Sequence, residues 1–344
     1  MRVAVAYNEP VKGSLDSEDV LDEVQLVTES LGKLGWEYNA FPVHSEPGFI
    51  TDILSRLAEY SPDVVFNLVE AIGDNQRFHP AMAGLFEMAG YPYTGAPYDA
   101  LVATTDKALA KSVMRSLGIP TPDWQVYKGT PIKMNVPPPW FVKPAWEDAS
   151  IGIDDGCILR DEALLREKLA LMAEKHRGQP ILVEKYIDGR ELNIALLGRP
   201  EGGAETFQVA ELLFEDWPEG KPRIINYAAK WFEESLEYEN TPRIFDPLDA
   251  PLEEIKKTVL RAWDVFNLRG YARADIRMDK EGRVYILELN ANPCIGPWSG
   301  YISAAKEAGY SPAQVIKRII DSALAADGKA PRPLMEKTSD GSIA

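Results

Sequence analysis

Cysteine is scarce in this chain, positive charge is outnumbered, and long apolar runs are missing. Two cysteines, Cys157 and Cys294, lie far apart among 344 residues; they offer neither a disulfide framework nor the paired spacing of a zinc site, so a reducing compartment is expected. With 37 Lys and Arg against 53 Asp and Glu, the formal net charge is -16. That balance argues against a general binder of nucleic acid or of anionic membranes, because such surfaces work through Lys and Arg. A polyanionic ligand would have to be met in a locally basic, metal-assisted pocket. No apolar stretch approaches the ~20 residues of a membrane span, and the opening MRVAVAYN turns polar at once, as a first strand does and a signal peptide does not. Together these features predict a cytoplasmic protein.

Three motifs are also missing. No G-x-x-x-x-G-K-[ST] occurs, no G-x-G-x-x-G follows the first strand, and there is no nucleophile elbow, so neither a P-loop nor a dinucleotide-binding βαβ unit is signalled. If ATP is bound, it is bound in some other way.

What is present is long enough for two or three domains, with 45% hydrophobic and 26% charged residues, ordinary for a globular protein. Residues 1–97 alternate strand and helix. Val3 to Tyr7 is an apolar strand, and Val20, Leu21, Val24, Val27, Leu31 and Leu34 recur at helical spacing before Gly35. Trp36 to Val43, Phe49 to Tyr60, Asp63 to Val69 and Pro80 to Ala89 continue the rhythm, which predicts a small parallel sheet covered by helices. His79 reads as a structural histidine.

A second region, 98–197, starts with a capped helix near Asp106 that carries Lys107 and stops at Gly118 and Pro120. Trp140 to Pro144 is a strand with one lysine, Lys143, among apolar residues. A lysine at the end of a buried strand is costly without an anion; a phosphate partner would explain it, and so would an edge-strand lysine reaching solvent. After a helix at about Asp161 to His176, Pro180 to Asn193 reads as two strands around Asp188-Gly189. Its extended edge can hydrogen-bond a flat heterocycle, and an acid such as Glu191 can take ribose hydroxyls.

The third region, 198–326, contains a helix opened by Asp249, Pro251, Glu253 and Glu254, then the stretch YARADIRMDKEGRVYILELNANPCIGPWS from Tyr271 to Ser299. Two alternating runs flank the turn Asp279-Lys280-Glu281-Gly282, the pattern of a β-hairpin. Pairing Met278 with Arg283 sets Ile276 opposite Tyr285 and Asp275 opposite Ile286, with Arg273, Asp275, Glu288 and Asn290 on one face. Two carboxylates and an amide beside an arginine suit Mg²⁺ held with substrate phosphates. The plainer alternative is a cross-strand ion-pair ladder. A polar tail, 327–344, is expected to be disordered.

Taken in order, Asp106-Lys107, Val142-Lys143-Pro144, Glu184-Lys185-Tyr186-Ile187, Glu191, Lys230, Arg273-x-Asp275 and Glu288-x-Asn290, with Gly90-Tyr91-Pro92-Tyr93-Thr94-Gly95 ahead of them, resemble the ATP-grasp ligases similar to D-alanine–D-alanine ligase. The resemblance covers nearly all of residues 90–325. It implies an α/β chain, α+β in its C-terminal parts, in which the small parallel-sheet domain precedes an ATP-grasp fold. It implies that Lys107 and Lys143 contact the α and β phosphates, that Glu184, the Lys185 carbonyl and the Ile187 amide read adenine, and that Glu191 holds the ribose. Lys230 would reach the γ phosphate, and Ser150-Ile151-Gly152 would cover the phosphates. Asp275, Glu288 and Asn290 would bind two Mg²⁺ ions, with Mn²⁺ as an alternative. Arg273 would steady the transferring phosphoryl group and a later oxyanion, and Ser299 would help hold the second substrate.

The activity so implied is an ATP-dependent ligase joining two amino acids or amino-acid-like molecules through an acyl phosphate, with a homodimer as its assembly. A ligase for a different acid and amine, or a nucleotide-binding regulator without turnover, are the alternatives. This chain departs from the family in its substrate half. The first loop reads YNEPVKGSLDS, leaving Asp16 or Glu18 for an expected glutamate; Asn67 to Ala71 and Gln76 to His79 replace a His-Gly start and an acidic Gly-rich stretch. Trp231 stands where a tyrosine is expected, and Cys294 where a glycine is.

Overall fold

The computed structural model describes residues 1–73, 75–130, 133–176 and 178–327, with the Asp16 side chain also left out. The expected disordered tail therefore falls, except for Asp327, outside the described residues. Among them, three sheets carry the fold.

The N-terminal sheet is parallel, in the order β2-β1-β3, from β1 (Arg2–Asn8), β2 (Glu37–Val43) and β3 (Val64–Leu68). Its central strand alternates Val3 and Val5 with Ala4 and Ala6, and all four are fully buried, as a parallel sheet covered on both faces requires. Ala4 and Ala6 pack with Ile53 and Leu57 of the helix Phe49–Tyr60. Val3 and Val5 pack with the helix Val20–Lys33 and with Val315, Ile316 and Ile319 of the helix Pro312–Asp327. The last of the described helices thus seals the first sheet.

A four-stranded antiparallel sheet follows, ordered β4-β7-β5-β6, from β4 (Trp124–Tyr127), β5 (Trp140–Pro144), β6 (Ile158–Leu159) and β7 (Ile181–Lys185). It has its own small core, built on Trp140, Val142, Leu165, Leu169 and Ile181. The helix Lys107–Ser116 leads into it, capped by Asp106, whose carboxylate accepts from the amides of Ala108 and Leu109.

The third sheet is antiparallel, ordered β10-β9-β8-β11-β12, from β8 (Gly189–Gly198), β9 (Ala204–Leu212), β10 (Arg243–Phe245), β11 (Tyr271–Asp279) and β12 (Val284–Ala291). The hairpin β11–β12 forms as expected, but its register differs by one residue. Met278 pairs with Val284 and Ile276 with Ile286, which puts two fully buried isoleucines face to face. A bulge at Leu287 then moves the pairing on, so that Asp275 opposes Glu288 and Arg273 opposes Asn290. The extra residue is what returns both polar pairs to one face.

Candidate active site

The two antiparallel sheets enclose a cavity of about 590 Å³. The nucleotide-binding, metal-binding and catalytic residues named from the sequence line it, namely Lys107, Lys143, Ser150, Glu184, Lys185, Ile187, Glu191, Lys230, Arg273, Asp275, Glu288, Asn290 and Ser299, whereas Glu18 does not. Their separation along the chain is closed by topology. On β8 and β11, Glu191 pairs with Arg277 and Asn193 with Asp275, so one continuous polar face runs from β8 to β12.

Glu288 is the centre of charge. Lys107 Nζ lies 3.7 Å and Lys143 Nζ 3.6 Å from its carboxylate, although the two lysines arrive from a helix and from the other sheet. Burial alone would raise the Glu288 carboxyl; Lys107, Lys143, Lys230 and Arg273 outweigh it and hold the group well below the usual carboxylate range. Lys107 also donates to Asp148 at 2.6 Å and to the Glu147 carbonyl at 2.7 Å. Burial works against its charge, but Asp148 and Glu288 prevail and raise its pKa. Lys143 therefore faces inward, with Glu184 at 3.5 Å as its other partner, and is not a solvent-reaching edge lysine.

Arg273 grips Asp275 through two hydrogen bonds of 2.7 and 2.8 Å, and the Asn290 amide nitrogen donates to the same carboxylate at 2.9 Å. Hard oxygen donors from Asp275, Glu288 and Asn290 on neighbouring rungs fit Mg²⁺, and the convergent lysines fit phosphate oxygens. Glu184 is buried and ion-paired to Lys111 at 2.9 Å. Ser150 takes a left-handed backbone, φ 61°, and its hydroxyl donates to the Ile225 carbonyl at 2.9 Å.

Two further bonds tie the same pair of loops: Tyr227 N–H to the Ile153 carbonyl at 3.2 Å, and the Trp231 indole to the Ala149 carbonyl at 3.1 Å. The tryptophan found in place of tyrosine thus latches one loop to the other. Lys230, on the latched segment, has its pKa lowered by burial and then by Arg273. Ser299 caps the helix Gly300–Glu307, its hydroxyl accepting from the Ile302 amide at 3.2 Å.

The acid from the first loop that reaches the cavity is Asp19. Glu18 instead accepts from the Gly13 amide at 2.9 Å. Cys294 donates to Asp19 at 3.0 Å, and Glu23 accepts from the Ile295 amide at 2.8 Å. Among the described residues, Asp19, Glu23 and Cys294 bring their ligand atoms within 4.8 Å of one another, with Glu70 close by. Burial, then Glu70, push the Glu23 carboxyl well above its usual range. Sequence reasoning missed Asp19 and Glu23; their signal was two acids four residues apart, one capping and one in the first turn of the helix Val20–Lys33, whose buried face is mostly apolar.

Arg277 and Lys111 were missed as well. Arg277, 3% exposed, binds Glu191 and reaches the Ile187 and Gly189 carbonyls at 3.4 and 3.3 Å. Lys111, fully buried, has its pKa lowered to about 8 by burial, with Glu184 opposing. Each shares a face with a predicted residue, Arg277 with Asp275 and Lys111 with Lys107. His79 is buried and its pKa falls to about 4 for that reason. Among the described residues no helix is long and apolar enough to cross a membrane.

Comparison with known proteins identifies the family and the fold. Residues 113–321 match the family described as D-ala D-ala ligase C-terminus. Relatives include a protein called uncharacterized protein y4sG from Sinorhizobium fredii, 34% identical over 75% of this chain and 74% of that one. They also include a D-alanine–D-alanine ligase from Stutzerimonas stutzeri, 32% identical over 80% and 82%. Among solved structures, D-alanine–D-alanine ligase from Bacillus anthracis complexed with ATP shares the fold with a TM-score of 0.74 at 20% identity, covering 96% of this chain and 99% of that one. With that family match and those relatives, the chain belongs to the D-alanine–D-alanine ligase family of ATP-grasp ligases.

Proposed function

We propose that this protein is an ATP-dependent carboxylate–amine ligase that joins two amino acids or amino-acid-like molecules through an acyl phosphate. The observation that carries the reading is the convergence of Lys107 and Lys143 on Glu288 beside the Arg273–Asp275–Asn290 cluster, a locally basic, oxygen-rich wall in a chain of net charge -16. Lys107, Lys143 and Lys230 hold the phosphates, and Glu184, Lys185, Ile187 and Glu191 hold the nucleoside, with Arg277 bracing Glu191. Asp275, Glu288 and Asn290 hold two Mg²⁺ ions, which supply charge neutralisation to the phosphates when bound. Phosphoryl transfer from ATP to the donor carboxylate gives the acyl phosphate; the amine then attacks its carbonyl, releasing phosphate and leaving an amide. Arg273 faces the charge that builds on the transferred group. The loops latched through Ser150 and Trp231 keep water from the intermediate.

Asp19 and Glu70 give the cavity an acidic end, suited to the ammonium group of the donor. Because Cys294 occupies part of that end, a donor other than D-alanine is a reading with its own support. ADP release with a panel of D- and L-amino acids as donor and acceptor tests the proposal. Release that requires an acid and amine pair is expected, and no amino-acid-dependent ADP under any condition would sink it.

A further inference from the structure

Lys111 is a buried cation with no part in holding phosphate or metal. It follows Lys107 by one turn on the helix Lys107–Ser116, is fully buried, and is not among the residues that line the cavity. Its ammonium lies 2.9 Å from Glu184 Oε1 and donates to Thr121 Oγ1 at 2.8 Å. Among the described residues it forms no other ion pair. Burial works against its charge and lowers its pKa to about 8, so stability is a poor reason to keep it there: a well-packed apolar pair often serves as well.

Glu184 supplies a different reason. It is 1% exposed and lines the cavity from β7, and its Oε1 is buried with no hydrogen-bond partner, although Lys111 stands 2.9 Å and Lys143 3.5 Å away. The lysines hold that oxygen by charge and leave its acceptor capacity unspent. A carboxylate accepts and cannot donate, so that capacity suits an N–H of a ligand. The two lysines are not equivalent. Lys143 also faces Glu288 at 3.6 Å and, in the ligase reading, turns to phosphate when nucleotide binds. Lys111 has no second acid to turn to, and it stays as the counter-charge of Glu184.

Resting on that reading, in which Glu184 meets the base, we infer that Lys111 is a positioning residue for base selection: acting through Glu184, it sets the preference for a purine with an amino group at position 6. A 6-amino group donates to the carboxylate, whereas a 6-oxo group sets acceptor against acceptor. Without Lys111, Glu184 is left to Lys143 alone, and its oxygen is no longer held for the base. Lys111 itself touches neither base nor phosphate.

The test compares ATP with ITP, whose 6-oxo base lacks the amino group, as their Mg²⁺ complexes with one acid and amine pair. Wild type should favour ATP in kcat/KM by about 10- to 100-fold, the cost of leaving a buried charged acceptor unpaired. In K111M the ratio should fall to about threefold or less, chiefly through a raised KM for ATP. K111Q, which keeps N–H donors for Glu184 and Thr121, should lie between, and it carries the same comparison if K111M does not fold. E184Q, whose amide both accepts and donates, should lose the preference by itself, and adding K111M to it should leave the ratio where it is. A lysine that only supports the fold would weaken ATP and ITP equally. That result, or a wild type that does not distinguish the two nucleotides, would overturn the inference. If the wild type releases no ADP with any pair, the ligase reading fails separately; calorimetric binding of Mg²⁺–ATP and Mg²⁺–ITP to wild type and K111Q then decides on Lys111, and an unchanged ratio of affinities rejects it.

Discussion

Replacing Glu288 by glutamine removes one charge with little change in volume, and the structure sets the size of the response. The carboxylate lies 3.7 Å from Lys107 and 3.6 Å from Lys143, where each direct attraction is ~4 kcal/mol at an effective dielectric constant of ~20. Desolvation of the carboxylate offsets much of that gain. Lys107 keeps Asp148 at 2.6 Å and Lys143 keeps Glu184 at 3.5 Å, so neither lysine is orphaned. The expected cost to folding is about 1–3 kcal/mol, below the ~3–5 kcal/mol of a stranded buried charge.

Because the folded carboxyl is held below its unfolded value, this stabilisation is present above the unfolded pKa of ~4.3 and fades as pH falls through the folded one. The difference in melting temperature should therefore be constant from neutral pH down to mild acid. Turnover should fall at least ~100-fold, with a rise in the Mg²⁺ concentration needed for half-maximal rate. Thermal melts combined with ADP release across an Mg²⁺ titration measure both. Turnover within about threefold of wild type and an unshifted Mg²⁺ dependence, with the melt lowered, would show that Glu288 is only a counter-ion for the lysines and would refute the reasoning.

Three further outcomes follow from the same geometry. Burial and then Glu70 raise the folded pKa of Glu23 well above its usual range, so stability is lost as pH climbs above the unfolded value, and Glu23→Gln should melt higher than wild type by a margin that widens from pH ~4.3 upward; a margin independent of pH would contradict this. Burial, with Glu23 and Asp19, keeps the Cys294 thiol well above its usual pKa, and burial pushes Cys157 to about 11. Both should resist iodoacetamide in the folded protein and react in denaturant, as mass spectrometry of labelled peptides would reveal. Gly95 has φ 88°, and a Cβ there would sit 2.3 Å from Asn292 Oδ1, the acceptor of the Ala96 amide. Gly95→Ala should cost about 2–4 kcal/mol in urea unfolding; a loss under ~1 kcal/mol would mean the segment adapts.

Local pattern determined much of this protein. The alternation of Val3 to Ala6 and the helical spacing from Val20 to Leu34 marked a covered parallel sheet, and the runs on either side of Asp279 to Gly282 marked the hairpin, because the periods of strand and helix are written in adjacent residues. The order of Lys107, Lys143, Glu184, Arg273, Asp275, Glu288 and Asn290 was enough to resemble one family. Tertiary structure decided what each charge meets. The bulge at Leu287 cannot be read from alternation, since either register keeps apolar residues together over a few rungs; it took the opposition of two buried isoleucines and the neighbouring strand β8 to choose. The meeting of Lys107 with Glu288, of Lys111 with Glu184 and of Asp19 with Cys294 likewise depends on how sheets and helices distant in sequence pack. An ion pair is a property of that packing, and the isolated stretches around its two members carry no trace of it.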